Sequence, residues 1–309
     1  MSGGGGRGPS YFPSRPAELK NLIKETREDT DQKRLEVDVN EYLQTFLVKL
    51  NQRNAERVQA YIDETAEILG ETYEIEKLLF GGSVAKHTAV DGLSDVDALV
   101  VLNKDDLQGK APQEVLDSFF DSLQGNLPRD RVVKVEKGDL AITISYEDGT
   151  EIQLLPALRR GKEICIADAD GNDWKVINPK AFQRELTRSN ERLNGALVPT
   201  IKLLKSILSV LPKNIKPTGY HIESLSVDVT KGYRGPKTVK SLLLHILTGA
   251  SARVLRPVAD ITNQSRIVDS YLGKKDSEQR EKVSHALAGI ARWMNAASTV
   301  ERWKEIIEP

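Results

Sequence analysis

Two short stretches of the sequence combine residue types that can bind phosphates and metal ions. A Gly-Gly-Ser turn occupies residues 81–83, and eleven residues separate Ser83 from the first aspartate of an Asp-Val-Asp pattern, Asp95 and Asp97. Glycines let a phosphate approach backbone N–H groups closely, and a serine hydroxyl adds a further donor. Alternate residues of a strand share one face, so the two aspartates would lie about 6.5 Å apart on the same side. Carboxylates placed in this way can bind hard divalent cations.

The chemistry that these residues predict uses two metal ions. One ion would lower the pKa of an attacking hydroxyl, and the other would bridge a triphosphate and its leaving group. A Gly-Gly turn or an Asp-x-Asp pair taken alone is common on ordinary protein surfaces. Their joint spacing favours a site, because two like charges at the entrance to an apolar strand are costly without cations.

The composition is that of a folded globular protein. The chain has 309 residues, of which 39% are hydrophobic and 29% charged, enough for one large domain or two smaller ones. A formal net charge of −1 argues against strong nucleic-acid binding. The single cysteine, Cys165, allows no internal disulfide. Because no apolar run reaches the roughly 18 residues of a membrane span and no signal-peptide pattern is present, we expect a cytoplasmic protein without a membrane partner.

Hydrophobic periodicity predicts the elements that must position the two stretches. Helices are expected over 35–69 and 111–124 and strands over 73–80, 95–102, 131–138, 140–147 and 150–158, with helical patterns from 178 onward. An Asp-Gly turn predicts a hairpin between the last two strands. We therefore expect an α+β fold with a mixed sheet-and-helix lobe and a helical C-terminal lobe. The long N-terminal helix would brace both lobes.

Several stretches together resemble a known superfamily. They are GGSVAKHTAVDGLSDVDALVVL (81–102), EIQLLPALRRG (151–161), NPKAF (178–182), LVPTIKLLKSIL (197–208), GYHIESL (219–225) and VDSYLG (268–273). The chain resembles nucleotidyltransferases, and more closely the bacterial cyclic-oligonucleotide synthases (CD-NTases) that are similar to cyclic-GMP-AMP synthase and oligoadenylate synthetase. The resemblance implies a polymerase-β-like catalytic domain over 35–178 and a helical oligoadenylate-synthetase-like domain over 179–309. A flexible arm would precede them over 1–34.

The activity that the resemblance implies is template-independent and metal-dependent. A nucleoside monophosphate would pass from a nucleoside triphosphate, with ATP among the substrates, to a hydroxyl of another nucleotide. The product would be a cyclic or short linear oligonucleotide that a separate effector protein senses, in relatives commonly in anti-phage defence. The implied cofactors are two Mg²⁺ ions, or Mn²⁺. Two alternatives are a catalytically weakened nucleotide-binding regulatory protein and a transferase that nucleotidylates a protein, a tRNA or a small molecule.

Carried over to this chain, the resemblance makes Gly82 and Ser83 triphosphate ligands and the two aspartates metal ligands. Lys202 and Lys205, one helical turn apart, would contact phosphates or the donor nucleotide; the alternative for them is a solvated helix face. Tyr220 is a candidate for stacking on a base, since aromatic rings accept any base, and the alternative is ordinary helix packing.

The third metal ligand is the point at which the sequence departs from the family pattern. Relatives place an aspartate just before an apolar-Pro-Ala sequence, and that register falls here on Gln153. Glutamine offers a neutral oxygen ligand and cannot act as a base. Glu151 lies two residues earlier, on the same strand face. We predict that Glu151 is the third metal and catalytic carboxylate and that Gln153 contacts the nucleotide; the alternative is that Gln153 marks a weakened or inactive enzyme.

Overall fold

The computed structural model of the chain describes residues 16–51, 55–91, 93, 95–103, 109–168, 170–262 and 267–308. The fold is α+β, as predicted. A mixed sheet with its helices forms one lobe and is followed by a lobe of helices. Among the described helices, none has both the length and the apolar character needed to cross a membrane.

Two helices replace the single helix predicted over 35–69. Helix α1 spans Pro16–Lys49, and helix α2 spans Ala55–Gly70. The prediction of one helix was wrong. The apolar spacing continues through the break, but the two helices bury their apolar faces in different cores. The buried residues of α1 belong to the helical lobe and those of α2 to the sheet lobe; they are Val39, Leu43, Phe46 and Leu47 in α1 and Val58, Tyr61, Ile62 and Leu69 in α2.

Helix α1 also begins inside the segment predicted as a flexible arm over 1–34. Residues 18–34 are helical although every one of them is exposed. Residue pairs four apart carry opposite charges, with Lys33 Nζ 2.7 Å from Asp29 Oδ2 and Lys24 Nζ 3.8 Å from Glu28 Oε1. Such pairs support an exposed helix by a few tenths of a kcal/mol each. Residues 1–15 of the predicted arm lie outside the described residues.

The sheet has the strand order β1-β2-β5-β4-β3, with β6 beside β5 and β7 beside β6. The strands are β1 (Ile75–Phe80), β2 (Val96–Leu102), β3 (Val132–Lys137), β4 (Ile142–Tyr146), β5 (Glu151–Arg160), β6 (Glu163–Ala167) and β7 (Trp174–Ile177). Strands β2 and β5 run parallel, and the other pairs are antiparallel. Strands β1 to β5 and the β4–β5 hairpin confirm the prediction, whereas β6 and β7 were not predicted.

Alternation at the start of β2 separates the face that enters the core from the face that carries Asp97. Val96, Ala98 and Val100 are at most 1% exposed and belong to the core that the sheet forms with α2 and helix α4 (Pro112–Asn126). Asp97 lies between them in sequence and is only half-buried. The short helix α3 (Gly82–Ala85) follows β1 directly. The turn that leads into α3 therefore lies next to the β2 residues that face away from the core.

The helical lobe contains α5 (Ala181–Arg192), α6 (Leu197–Ser209), α7 (Gly219–Val229), α8 (Val239–Arg253), α9 (Glu278–Ala296) and α10 (Val300–Ile307). Asn194 and Gly195, with φ of 55° and 81°, separate α5 from α6. The four helices α7 to α10 each begin after a threonine or serine whose side chain accepts a backbone N–H of the first turn. These caps satisfy donors that a helix start otherwise leaves without a partner.

Candidate active site

The glycine pair holds the turn between β1 and α3 directly against Asp97. Gly82 has a φ of +51°, in the left-handed region, and a Cβ at this position would lie 1.5 Å from Asp97 Oδ2. The backbone N–H of Gly81 donates to the backbone oxygen of Asp97 at 2.7 Å. A side chain at position 82 would displace the carboxylate, so glycine is required there. The structure thus brings together the two stretches that the sequence predicted to bind phosphate and metal.

A single cleft of about 260 Å³ contains most of the predicted site residues. It is lined by Gly82, Ser83, Lys86, Leu93, Asp95, Asp97, Lys205, Ser209, Lys216, Pro217, Gly219, Tyr220, Ile222 and Glu223. The sheet lobe and the helical lobe both contribute to this lining. The cleft is therefore an inter-lobe site to which each lobe contributes both acidic residues and lysines.

The two aspartates occupy the start of β2. Asp95 immediately precedes the strand, and Gln153 Nε2 donates to Asp95 Oδ2 at 2.9 Å. Burial raises the pKa of the Asp97 carboxyl; Lys86 and Lys205 oppose that rise, and Glu223 adds to it. A carboxylate that is desolvated in this way gains from a bound cation.

The donor set fits Mg²⁺ bound together with a triphosphate. Mg²⁺ in proteins is usually held by one or two carboxylates, waters and substrate phosphates instead of an all-protein cage. Asp95 and Asp97 supply two carboxylates, and the glycine turn faces the same cleft. Among the described residues, no group of three or more His, Cys, Asp or Glu side chains is placed to share a metal ion. An Mg²⁺ ion held by these two carboxylates would take its remaining ligands from waters and substrate phosphates.

Gln153, and not Glu151, makes the contact with the aspartate pair. Gln153 is the register partner of Asp97 across the parallel strands. Glu151 is the first residue of β5; it is exposed, and its Oε1 accepts a hydrogen bond from Ser145 Oγ at 3.2 Å. The assignment of Glu151 as the third metal ligand stays a prediction.

The two predicted lysines lie in different environments. Lys205 lines the cleft and is 7% exposed, and its Nζ is 2.8 Å from Glu223 Oε1 and 3.1 Å from the backbone oxygen of Thr88. Burial lowers the pKa of Lys205, while Glu223 opposes that change. Lys202 is half-buried, donates to Asn51 Oδ1 just after α1, and is not among the described residues that line the cleft. Its contact with nucleotide stays a prediction.

Tyr220 lines the cleft with its ring held in place. Its hydroxyl donates to Asp260 Oδ1 at 2.9 Å, and its ring meets Phe182 edge to face at 4.8 Å. A fixed aromatic ring at the cleft suits base stacking. That role stays a prediction for Tyr220.

Two further residues of the cleft, Lys86 and Glu223, were not predicted from the sequence. Lys86 follows α3, donates to Glu223 Oε2 and lies 5.1 Å from the centre of the Tyr220 ring. Glu223 lies on α7 with its side chain 1% exposed. Burial favours the neutral acid, but Lys86 and Lys205 hold the pKa of Glu223 below its ordinary value. A lone acid within the apolar GYHIESL stretch was the signal that could have identified it.

Comparison with known proteins identifies one family model and a set of similar structures. Residues 37–190 match the model described as Second Messenger Oligonucleotide or Dinucleotide Synthetase domain. No curated protein matches the chain. The matched range contains the glycine turn, Asp95, Asp97 and Gln153, so it includes the sheet side of the cleft.

Similar solved structures cover nearly the whole chain. The CD-NTase CdnG of Bradyrhizobium diazoefficiens in complex with GTP has a TM-score of 0.63 at 15% identity and covers 87% of this chain and 95% of its own. CdnC of E. coli MS115-1 with ATP has a TM-score of 0.59 at 14% identity, with coverages of 86% and 93%. The apo form of Vibrio cholerae DncV has a TM-score of 0.59 at 15% identity, with coverages of 94% and 88%. These likenesses confirm the predicted polymerase-β-like fold.

Proposed function

Because the chain belongs to the bacterial cGAS/DncV-like nucleotidyltransferases and carries a second-messenger oligonucleotide or dinucleotide synthetase domain, we propose that it joins nucleoside triphosphates into a cyclic or short linear oligonucleotide. The reaction would need no template. ATP would be among the substrates, a proposal supported by the likeness to structures solved with ATP and with GTP. The product would act on a separate effector protein in anti-phage defence.

The observation that carries this proposal is the contact between Gly82 and Asp97. A phosphate bound at the turn would lie beside the carboxylates, because a Cβ at position 82 would already reach Asp97 Oδ2 at 1.5 Å. Lys86 and Lys205 line the same cleft and add positive charge for the phosphates. A nucleotide-binding module without turnover has little use for paired carboxylates at its phosphate site.

The residues have distinct proposed roles in the reaction. The acceptor hydroxyl oxygen attacks the α-phosphorus of the donor, the bond from that phosphorus to the bridging oxygen breaks, and pyrophosphate leaves. The backbone at Gly82 and the Ser83 hydroxyl bind the triphosphate. Asp95 and Asp97 would hold two Mg²⁺ ions, which when bound lower the pKa of the acceptor hydroxyl and neutralise charge on the triphosphate. Glu151 is proposed to take the hydroxyl proton, since the amide of Gln153 cannot.

The regulatory alternative is favoured by a single observation. Gln153 occupies the register of the third carboxylate and donates to Asp95 at 2.9 Å. A neutral amide at this position reduces the negative charge that the site offers to metal ions. The alternative therefore predicts that the protein binds triphosphates without turnover.

The test is incubation of the purified protein with all four ribonucleotides, and separately with all four deoxyribonucleotides, in Mg²⁺ or Mn²⁺. Phosphatase treatment followed by mass spectrometry then identifies any protected product. A phosphatase-resistant oligonucleotide supports the proposal and names its bases. Nucleotide binding without product supports the regulatory alternative, and labelling of an added protein, tRNA or small molecule would indicate a transferase of that kind.

A further inference from the structure

Glu223 accepts hydrogen bonds from three side chains that come from both lobes. Its Oε1 accepts from Lys205 Nζ at 2.8 Å and from Thr88 Oγ1, and its Oε2 accepts from Lys86 Nζ. Lys86 and Thr88 follow the glycine turn in the sheet lobe, whereas Lys205 lies on α6 of the helical lobe. One carboxylate on α7 therefore connects the turn to the helical side of the cleft.

The Lys205 ammonium is directed toward this carboxylate and toward Thr88. An ammonium group has three donors. Lys205 Nζ lies 2.8 Å from Glu223 Oε1, 3.1 Å from the Thr88 backbone oxygen and 3.3 Å from Thr88 Oγ1. These three acceptors account for all its donors. Among the described residues, Lys86 Nζ donates a hydrogen bond to Glu223. Its other two donors are therefore available to a ligand in the cleft.

The segment between the turn and Thr88 needs such an anchor. The Thr88 backbone N–H donates to the Ser83 oxygen at 2.9 Å, which closes the segment on itself. His87 within it has a φ of 57°, a left-handed conformation that costs a non-glycine residue about 1 kcal/mol or more. Such conformations persist only where surrounding contacts fix them. Thr88 and Lys86, on either side of His87, are the two residues of this segment that Glu223 binds.

The charges around Glu223 also indicate that it holds Lys86 in place. Glu223 lies between two buried or nearly buried ammonium groups, with the Lys205 side chain 7% and the Lys86 side chain 12% exposed. Without this carboxylate the two like charges would face each other in a desolvated place. Lys86 would then turn toward solvent, because it is the more exposed of the two.

We propose that Glu223 is a positioning residue that orders residues 83–88 and aims Lys86 at the triphosphate. This inference rests on the proposed function for the identity of the ligand, but the ordering is a property of the protein alone. Glu223 need not touch the nucleotide; it acts through Lys86 and Thr88.

The test replaces Glu223 with glutamine. The glutamine side chain has the same shape as glutamate, but its amide N–H group would face a lysine or threonine donor in place of an acceptor oxygen. A second variant, Lys205→Met/Glu223→Gln, removes the charges of Lys205 and Glu223 together, so that it folds without an unpaired lysine at position 205. Ser224→Ala is the matched control, since the buried Ser224 hydroxyl has no hydrogen-bond partner among the described residues. We measure amide hydrogen exchange over 83–88, and KM and kcat for nucleoside triphosphates.

In both Glu223 variants, amide hydrogen exchange over 83–88 should be faster than in the wild type. Their KM for nucleoside triphosphates should rise about tenfold or more, with a smaller change in kcat. Ser224→Ala should resemble the wild type in both measurements. In a Lys86→Met background, Glu223→Gln should change KM by less than it does alone. Wild-type exchange in both Glu223 variants would overturn the inference, and so would faster exchange with unchanged KM. If the wild type makes no product, but exchange over 83–88 is faster in the Glu223 variants than in the wild type, the proposed function is contradicted. The ordering of the segment by Glu223 is then still supported.

Discussion

Gln153 Nε2 donates a hydrogen bond to Asp95 Oδ2 at 2.9 Å between the two parallel strands at the centre of the sheet. An amide therefore contacts the first aspartate of the Asp-x-Asp pair from the position at which the family resemblance predicts a carboxylate. The bond fixes Asp95 but adds no negative charge and no base to the site. Glu151, which lies at the start of the same strand, therefore stays the predicted third carboxylate.

Replacing Glu151 and Gln153 one at a time distinguishes the two candidates. Glu151→Gln should lower the rate of nucleotide joining by about 100-fold or more, equivalent to roughly 2.7 kcal/mol in the barrier, because it removes the proposed base. Gln153→Ala should cost less, since it removes only a hydrogen bond to Asp95. Initial rates at saturating triphosphate measure both. The reverse ranking would contradict the role of Glu151 and make Gln153 the important ligand.

The two glycines of the turn should differ in their tolerance of a methyl group. Gly82→Ala should lower kcat/KM by about 100-fold or more, because the new Cβ would lie 1.5 Å from Asp97 Oδ2 and a φ of +51° disfavours alanine. Gly81→Ala is the matched control; its Cβ would lie 3.5 Å from Asp97 Cβ, an ordinary contact. Equal activities of the two variants would show that the turn and Asp97 do not need to touch.

Alanine substitutions should rank the lysines by their access to a triphosphate. We expect Lys86→Ala to raise KM for triphosphates by about tenfold or more, since Lys86 keeps donors that face the cleft. Lys205→Ala should raise KM as well, through loss of positive charge and of the contacts with Glu223 and Thr88. Lys202→Ala should have the smallest effect, because Lys202 donates to Asn51. A larger effect at Lys202 than at Lys86 would favour the contact predicted from the sequence.

The buried histidine of α7 should make stability depend on pH. His221 is fully buried with Nδ1 2.8 Å from the Tyr271 hydroxyl, and burial lowers its pKa to about 4, although Asp269 opposes this. An unfolded histidine has a pKa of about 6.5, so below that pH the unfolded chain binds a proton that the folded protein excludes. Stability should therefore fall by up to roughly 1.4 kcal/mol per pH unit between about 6.5 and 4.

Denaturant unfolding at several pH values between 7 and 4 measures this slope. His221→Gln should reduce it, whereas His285→Gln, a change at an exposed histidine of α9, should leave it as in the wild type. An unchanged slope in His221→Gln would assign the pH dependence to other groups.

Periodicity predicted the sheet side of the site because each of its features is local in sequence. The alternation around Asp97, the turn at Gly82 and the β4–β5 hairpin each depend on a few neighbouring residues, and the structure contains all three. The helical side depends on contacts between residues far apart in the chain. Glu223 meets Lys86 across 137 positions, and no pattern near either residue encodes that pairing.

The break between α1 and α2 could not be predicted for a similar reason. The apolar spacing runs through both helices, but it does not say which core each helix enters, and the cores form only once the lobes have assembled. Strands β6 and β7 are short, and they pair at the edge of the sheet beyond β5. Their stability comes from that pairing more than from a strong local pattern.

The most direct measurement of the central claim compares product formation by the wild type, Asp95→Asn/Asp97→Asn and the matched control Asp139→Asn. Asp139 is an exposed aspartate in the turn between β3 and β4. All three proteins are incubated with triphosphates and Mg²⁺ and their phosphatase-resistant products are quantified by mass spectrometry. We predict an oligonucleotide from the wild type and from Asp139→Asn, and none from the double variant. Equal product from the double variant would contradict the assignment of Asp95 and Asp97 as the catalytic metal ligands.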